Sequence, residues 1–435
     1  MFENSKKYIK DLLQIAFPII LGNIGFIMIG VGDVIVAGRH STETLAAVSL
    51  ATAILNCITI FGIGILSSIS PVLSNYRGAN QEPEKYFYLS LKFTSLLSVI
   101  ISVVVILSIP LVDFLGFEES LVPLIKDYFF ITAFSVFGAY LHCMAKEYLQ
   151  AFEIVNFPNI LTIFSIFVNL GLNIWLAFGG WFVPEMGVAG LALASLLTRY
   201  FMGFVLFGYC FKKIKVKNHE DKNYYIDLLK VGTPASLAVL IEFVAFNSIT
   251  VIMGRISSIY AAAQNIICTI TTISFMVPFA ISNATSVKVG FSNGAKDYFS
   301  LKKYAYSCLI MSTLFMTGAA IVLAIAPGVI LSLFTCDIEL IKVSIPAMYI
   351  LCFFQIFDGL QVSLAGIFKG LKQTNVVMIS NFVGYWLIAI PLGCLLALHY
   401  NMNLQGFWYG LIASAVILCT IMFMVLMYKF KKMED

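Results

Sequence analysis

Apolar residues run through this chain in twelve long blocks, not in short alternating ones. Windows of about 20 residues place the blocks at roughly 12–38, 45–74, 88–115, 124–152, 158–180, 187–211, 226–254, 261–290, 303–333, 342–369, 375–398 and 405–429. A continuous block of this length satisfies its backbone in lipid as an α-helix, whereas the strands of a membrane barrel alternate in polarity. The pattern predicts an all-α membrane protein with twelve transmembrane helices. The one long polar interruption, 212–224, carries Lys212, Lys213, Lys215, Lys217, Glu220 and Asp221, with six blocks on either side. It predicts an N-terminal six-helix bundle over 1–211, a linker over 212–224 and a C-terminal bundle over 225–435.

Composition agrees with the pattern. Of 435 residues, 60% are hydrophobic and 11% charged, against about 25% charged in an ordinary soluble domain. No soluble interior has room for so much apolar side chain. The formal net charge of +4 is small and gives no hint of nucleic-acid binding. Its placement says more. Of the 27 Lys and Arg, only Arg39, Lys126, Arg255 and Lys342 fall on odd-numbered connections, and Arg199 lies inside the sixth block. The remainder sit at the two termini and on even-numbered connections, so both termini and the linker are expected on the cytoplasmic side. The first block is too long for a signal-peptide core and lacks a small-residue cleavage site, so it is kept as a helix. The nine cysteines are odd in number and scattered through apolar runs, with no disulfide or zinc spacing.

The two halves repeat. A shift of 216 residues pairs Asp11, Leu12, Leu13 and Pro18 with Asp227, Leu228, Leu229 and Pro234, and Gly38-Arg39 with Gly254-Arg255. The same shift pairs Ala46-Ala47 with Ala262-Ala263 and Gly78-Ala79 with Gly294-Ala295. A shift of 219 pairs Gly187 with Gly406 and Ala194-Ser195 with Ala413-Ser414. Six helices per repeat is an even number, so the second repeat starts on the same side as the first. Two parallel six-helix repeats, related by an axis along the membrane normal, are a transporter architecture.

Three acids interrupt the apolar helices: Asp33, Glu242 and Asp358. At 1.5 Å rise per residue, Glu242 and Asp358 lie roughly 18 and 24 Å below the outer ends of their helices, and Asp33 roughly 8 Å from the Gly38 end. A charge at that depth costs about 2.5–3.5 kcal/mol on insertion scales. The repeat sets Phe26 opposite Glu242, Ile249 opposite Asp33 and Ala139 opposite Asp358. The acids are therefore absent from the shared scaffold, as expected of a proton or cation site. Simple interhelical hydrogen bonding is the competing reading. Gln355 and Gln361 flank Asp358 by about one turn each, Gln264, Cys268, Thr271 and Thr272 make a polar stripe on the eighth helix, and Asn169 and Asn173 share a face of the fifth. Such stripes line a cavity or only join helices. Arg199 either snorkels or pairs with an acid. The 38 Phe, 20 Tyr and 16 Met would suit an adaptable pocket for organic cations.

Enzyme signatures are missing. No phosphate-binding Gly-x-x-x-x-Gly-Lys-Ser/Thr run occurs, and His219-Glu220 starts a zinc-helix pattern that Asn223 ends. The second loop, Ser74-Asn75-Tyr76-Arg77-Gly78-Ala79-Asn80, lacks the Asp-Arg-x-Gly-Arg type of motif of a major facilitator transporter.

Pro234, Glu242, Phe246, Gly254, Ala262-Ala263-Gln264, Pro278 and Val289-Gly290 resemble the seventh and eighth helices of multidrug and toxic compound extrusion (MATE) transporters, in particular the NorM type. The first helix, with Asp33-Val34-Ile35-Val36-Ala37-Gly38-Arg39 and then Leu45-Ala46-Ala47, and the tenth, with Gln355, Asp358, Gly359, Gln361 and Gly370, resemble that family too. The resemblance implies two six-helix bundles forming a V-shaped cleft in a bacterial cytoplasmic membrane. It implies export of cationic, often aromatic, drugs in exchange for Na⁺ or H⁺; a monomer without a cofactor is expected. By resemblance, Glu242 and Asp358 match the cation-site acids, where Na⁺ would sit, and Asp33, Asn169 and Asn173 match the polar site of the N-terminal bundle. Gln264, Gln355, Gln361 and Phe246 are candidates for cavity lining. DinF-type members carry an Asp where this chain has Asn173 and lack the acid at Glu242, which places the chain with the NorM type. A flippase for lipid-linked precursors, from the same superfamily, is the alternative.

Overall fold

The computed structural model of the protein describes residues 2–180, 182–214 and 221–433. Among them, twelve helices are long and apolar enough to cross a membrane. They are α1 (Lys6–His40), α2 (Thr42–Gly78), α3 (Pro83–Phe114), α4 (Leu121–Ala151), α5 (Asn156–Phe178), α6 (Gly187–Lys213), α7 (Lys222–Ile256), α8 (Ser258–Gly294), α9 (Tyr298–Ile325), α10 (Ile338–Gly370), α11 (Thr374–His399) and α12 (Asn403–Lys432). The most apolar stretch of each has a mean hydropathy between 1.4 and 2.7, yet at most 50% of any such stretch is buried in the protein. Apolar side chains such as Leu107, Phe167 and Val322 therefore face outward. Hydrocarbon accepts that surface and water does not.

Polar caps set several of the helix ends. Ser41 Oγ accepts from Thr44 N at 3.0 Å before α2, Asp297 Oδ1 from Ser300 N at 3.0 Å before α9, and Asp337 Oδ1 from Glu339 N at 2.9 Å before α10. Each satisfies a backbone donor that has no partner within its own helix. Close helix contacts rest on glycine. A Cβ on Gly203 of α6 would lie 2.9 Å from the Gly138 carbonyl oxygen of α4, and one on Gly410 of α12 would lie 2.7 Å from the Ala389 carbonyl oxygen of α11. Small residues allow such backbone approach in lipid, where burial of apolar surface gives little drive for association.

The helices form two compact units. One is Phe17–Ser236, and the other is Met1–Ala16 together with Leu237–Asp435. The polar stretch at 212–224 is therefore not where the units part, although six spans still precede it and six follow. Residues 215–220 of that stretch lie outside the described residues. The reason for the shifted division is side-chain anchoring at the first turns of α1 and α7. Tyr304 donates to Asp11 at 2.9 Å, and the Tyr8 and Ser300 hydroxyls are 3.4 Å apart, which keeps the start of α1 in the C-terminal unit. Tyr76 donates to Asp227 at 3.1 Å, the Ser90 and Tyr224 hydroxyls are 2.6 Å apart, and Ser68 donates to the Leu228 carbonyl at 3.2 Å. These keep the start of α7 in the N-terminal unit. Asp11 and Asp227, paired by the 216-residue shift, thus play matching parts.

Helix α11 departs from regular α geometry, because Phe382–Ala389 and Leu395–His399 wind as π-helix. This wider turn, with i→i+5 hydrogen bonds, is frequent at functional sites.

Candidate functional site

The acids read from the sequence fall into two clusters, one in each unit. In the C-terminal unit, Glu242 of α7 is partly buried, and Asp358 of α10 is only 3% exposed. The charge of Glu242 acts on Asp358 and on Tyr385 of α11, whose hydroxyl donates to Gln361 Oε1 at 3.3 Å. Gln361, three residues beyond Asp358, donates to the Tyr385 hydroxyl at 3.1 Å and to Asn381 Oδ1 at 3.4 Å. Asn381 in turn donates to the Ala238 carbonyl at 3.2 Å, and Trp386 to the Ile241 carbonyl at 3.2 Å. The turn of α7 leading into Glu242 is thereby held at two points by α11. Residues five apart on an α-helix diverge by about 140°. The π turn, closing at i→i+5, carries Trp386 round to the side that Asn381 occupies.

Phe246, one turn beyond Glu242, packs its ring 5.9 Å from Tyr385 and 6.2 Å from Phe354. The other two glutamines lead elsewhere. Gln264 is fully buried, accepts from Trp408 Nε1 of α12 at 3.0 Å and donates to Cys268 Sγ at 3.3 Å. Gln355 donates to the Met316 carbonyl of α9 at 3.4 Å. Both join helices within the unit, so of the polar candidates on α8 and α10 only Gln361 shares bonds with the residues around Glu242.

In the N-terminal unit, Asn173 Nδ2 of α5 donates to Asp33 Oδ1 of α1 at 2.6 Å and to Asn169 Oδ1 at 2.9 Å. Ser195 Oγ of α6 donates to Asp33 Oδ2 at 3.2 Å. Asn169 and Asn173 are 1% and 0% exposed, and Asn169 Nδ2 and Asn173 Oδ1 have no protein partner. Arg199, one turn beyond Ser195, donates to Ser135 Oγ of α4 at 2.6 Å, and its charge acts on Asp33.

Sequence reasoning missed several members of both clusters. Ser195 stood in the repeat register opposite Ser414 and so read as scaffold. Tyr385, Asn381 and Trp386 carry no charge, and an α-helical wheel disperses 381 and 386 to different faces. No group of three or more His, Cys, Asp or Glu able to hold a metal ion occurs among the described residues. A monovalent cation at Glu242 and Asp358 would complete its shell with neutral oxygens, and Gln361, Asn381 and Tyr385 are the nearby supply. A proton needs none of them.

A family model described as MatE matches residues 18–175 and again 234–395. The chain belongs to the MatE family. The two MatE matches begin at Pro18 and Pro234, residues that the 216-residue shift sets opposite each other. The curated protein "Probable multidrug resistance protein NorM" of Photorhabdus laumondii is 27% identical over 432 residues, covering 96% of this chain and 95% of that protein. The protein of the same name from Bacillus subtilis is 24% identical over 428 residues, covering 95% and 94%. Among solved structures, the eukaryotic MATE transporter AtDTX14 superposes with a TM-score of 0.88 at 17% identity, covering 99% of this chain and 98% of that one. An outward-facing multidrug resistance MATE family transporter of the MOP superfamily gives 0.87 at 18%, covering 98% and 97%. The MatE chain is thus an all-α membrane transporter and not an enzyme, and Asp33, Glu242 and Asp358 all lie within its two matched stretches.

Proposed function

We propose that the protein is a cation-coupled antiporter that exports cationic or aromatic compounds across a bacterial cytoplasmic membrane, with both termini on the cytoplasmic side. The observation that carries this reading is the pair Glu242 and Asp358, two acids in one electrostatic field, joined through α11 by the bonds from Gln361 to Tyr385, Asn381 to the Ala238 carbonyl and Trp386 to the Ile241 carbonyl. Two carboxylates in a low-dielectric interior repel, and a proton or Na⁺ taken up between them relieves the repulsion. Names of the relatives support the substrate class, and the bias of Lys and Arg toward the termini and even-numbered connections supports the orientation. Inward movement of one charge through 100 mV releases about 2.3 kcal/mol, enough for roughly a 50-fold gradient of a neutral solute at 1.4 kcal/mol per tenfold.

The test is efflux of ethidium from vesicles containing the purified protein, driven first by a Na⁺ gradient and then by a pH gradient. The gradient that drives efflux names the coupling ion. Glu242→Gln should abolish that efflux, and efflux driven as well as in wild type would remove Glu242 from the coupling site.

A further inference from the structure

We propose that His40 is a positioning residue for the polar cluster around Asp33, forming with Glu185 a clamp that fixes α1 against α5 and α6. The inference rests on the reading of the protein as a cation-coupled exporter.

His40 ends α1, seven residues beyond Asp33. At 100° and 1.5 Å per residue the two lie about 20° apart round the helix and about 10 Å apart along it, so they share a face. Asp33 accepts from Asn173 of α5 and from Ser195 of α6. Two turns on, His40 meets the same two helices and the segment that joins them. Its ring lies 5.5 Å from that of Phe178, the last residue of α5. Its Nε2 is 2.9 Å from Oε1 of Glu185 in the α5–α6 connection. Gly187 opens α6 with φ at +51°, and a Cβ there would lie 3.2 Å from His40 Cε1, so glycine suits both the backbone and the approach of the ring. On its other side the ring reaches α2, with Nδ1 2.9 Å from Thr44 Oγ1. A carboxylate only accepts, so Nε2 carries a proton. Thr44 accepts from Ser41 at 2.9 Å and has its own hydroxyl hydrogen to give to Nδ1.

The connection that carries Glu185 is itself fixed. Met186 N donates to the Leu176 carbonyl at 3.2 Å, Trp175 Nε1 donates to the Gly180 carbonyl at 3.0 Å, and Gly180 and Val183 exchange backbone bonds at 2.9 and 3.1 Å. The His40 side chain is 14% exposed and that of Glu185 66%, and a pair so close to water contributes little as a charge interaction. What it contributes is a second point of attachment. A helix held at one point pivots about it, whereas a helix held at two keeps its rotation and register.

The repeat shows that the clamp was added to a shared corner. The shift of 216 sets Ser257 opposite Ser41 and Ile256 opposite His40, and the shift of 219 sets Gly406 opposite Gly187 and Leu404 opposite Glu185. The two serines cap α2 and α8 alike. The clamp pair, like Asp33, belongs to one half only.

The test measures ethidium efflux and amide hydrogen exchange on the full-length protein. His40→Leu removes both ring bonds and should slow efflux about tenfold, and Glu185→Ala removes one and should slow it about threefold. Exchange of the amides around Asp33 and Asn173 should quicken by similar factors. Glu185→Gln keeps an acceptor for Nε2 and should match wild type in both readings. Ser195→Ala acts on the same carboxylate, so combined with His40→Leu it should cost less than the product of the two single losses. A clamp that only supports the fold would give losses that multiply, and that result overturns the inference, as does wild-type efflux from a folded His40→Leu protein. Should His40→Leu not fold, Glu185→Ala, changed at an exposed side chain, takes its place in both comparisons. Failure of the underlying reading looks different: wild type then exports no ethidium under either gradient, and the exchange rates alone decide the clamp.

Discussion

Asn381 donates its side-chain amide to the carbonyl oxygen of Ala238 at 3.2 Å, and that carbonyl also faces the backbone N–H of Glu242 along the helix. With Trp386 on the Ile241 carbonyl at 3.2 Å, α11 grips the peptide groups on which the Glu242 side chain is mounted. The position of the carboxylate is thus set by a neighbouring helix as well as by its own.

Asn381→Leu keeps the volume and removes both the bond to Ala238 and the one from Gln361. Loss of a buried hydrogen-bond partner costs about 1–3 kcal/mol. Thermal unfolding in detergent should fall accordingly, and the coupling-ion concentration for half-maximal efflux should rise about tenfold, equivalent to 1.4 kcal/mol. A stability loss with no change in ion dependence would limit Asn381 to packing.

Tyr385→Phe deletes one hydroxyl and leaves the ring against Phe246, 5.9 Å away. The expected result is a weaker response to the coupling ion, by about tenfold on the same scale, with the KM for ethidium unchanged. An ethidium KM that shifts together with the ion response would place Tyr385 in the substrate pocket instead.

Gly203→Ala would push a Cβ to 2.9 Å from the Gly138 carbonyl oxygen, a backbone atom that cannot rotate away. Overpacking of this kind costs about 1–3 kcal/mol. A lowered unfolding temperature should follow, while Gly208→Ala, with nothing within 4 Å of its Cβ, should leave the temperature within about 1 °C of wild type.

Asp297 caps α9, and its hydrogen bonds from Ser300 hold its carboxyl below the usual carboxylate range. A depressed folded-state pKa means stability that is present above the unfolded value of about 3.9 and is lost as pH falls through the lower folded value. Asp297→Ala should therefore cost about 0.5–1 kcal/mol at pH 7, near the lower end for caps because the side chain is exposed. Unfolding curves of the two proteins should converge below about pH 4.

Much of the architecture was legible because lipid leaves the backbone few choices. Twelve apolar runs had to become twelve helices, and caps such as Ser41 and Asp297 moved their ends by only a few residues. The division into units was less legible. The linker at 212–224 is conspicuous as polar sequence, but Asp11, Tyr304, Tyr76 and Asp227 decide which turns pack with which helices, and those bonds join residues 151 to 293 positions apart.

For the clusters, charge was a reliable guide and polarity was not. Asp33, Glu242 and Asp358 stood out since an acid in an apolar run is expensive wherever the helix ends up. Gln264, Gln355 and Gln361 looked alike in sequence, and only contacts separated them: Gln264 to Trp408, Gln355 to Met316, Gln361 to Tyr385 and Asn381.

The sequence by itself determined the number and type of the helices, the parallel repeat and the identity of the three acids, because each follows from the cost of placing a group in hydrocarbon. Only the tertiary structure decided which groups surround each acid. Arg199 and Asp33 are 166 residues apart in the chain, and Glu242 and Tyr385 are 143 apart. Which of these groups meet depends on how helices pack and, at α11, on a π turn that no α-helical periodicity foretells.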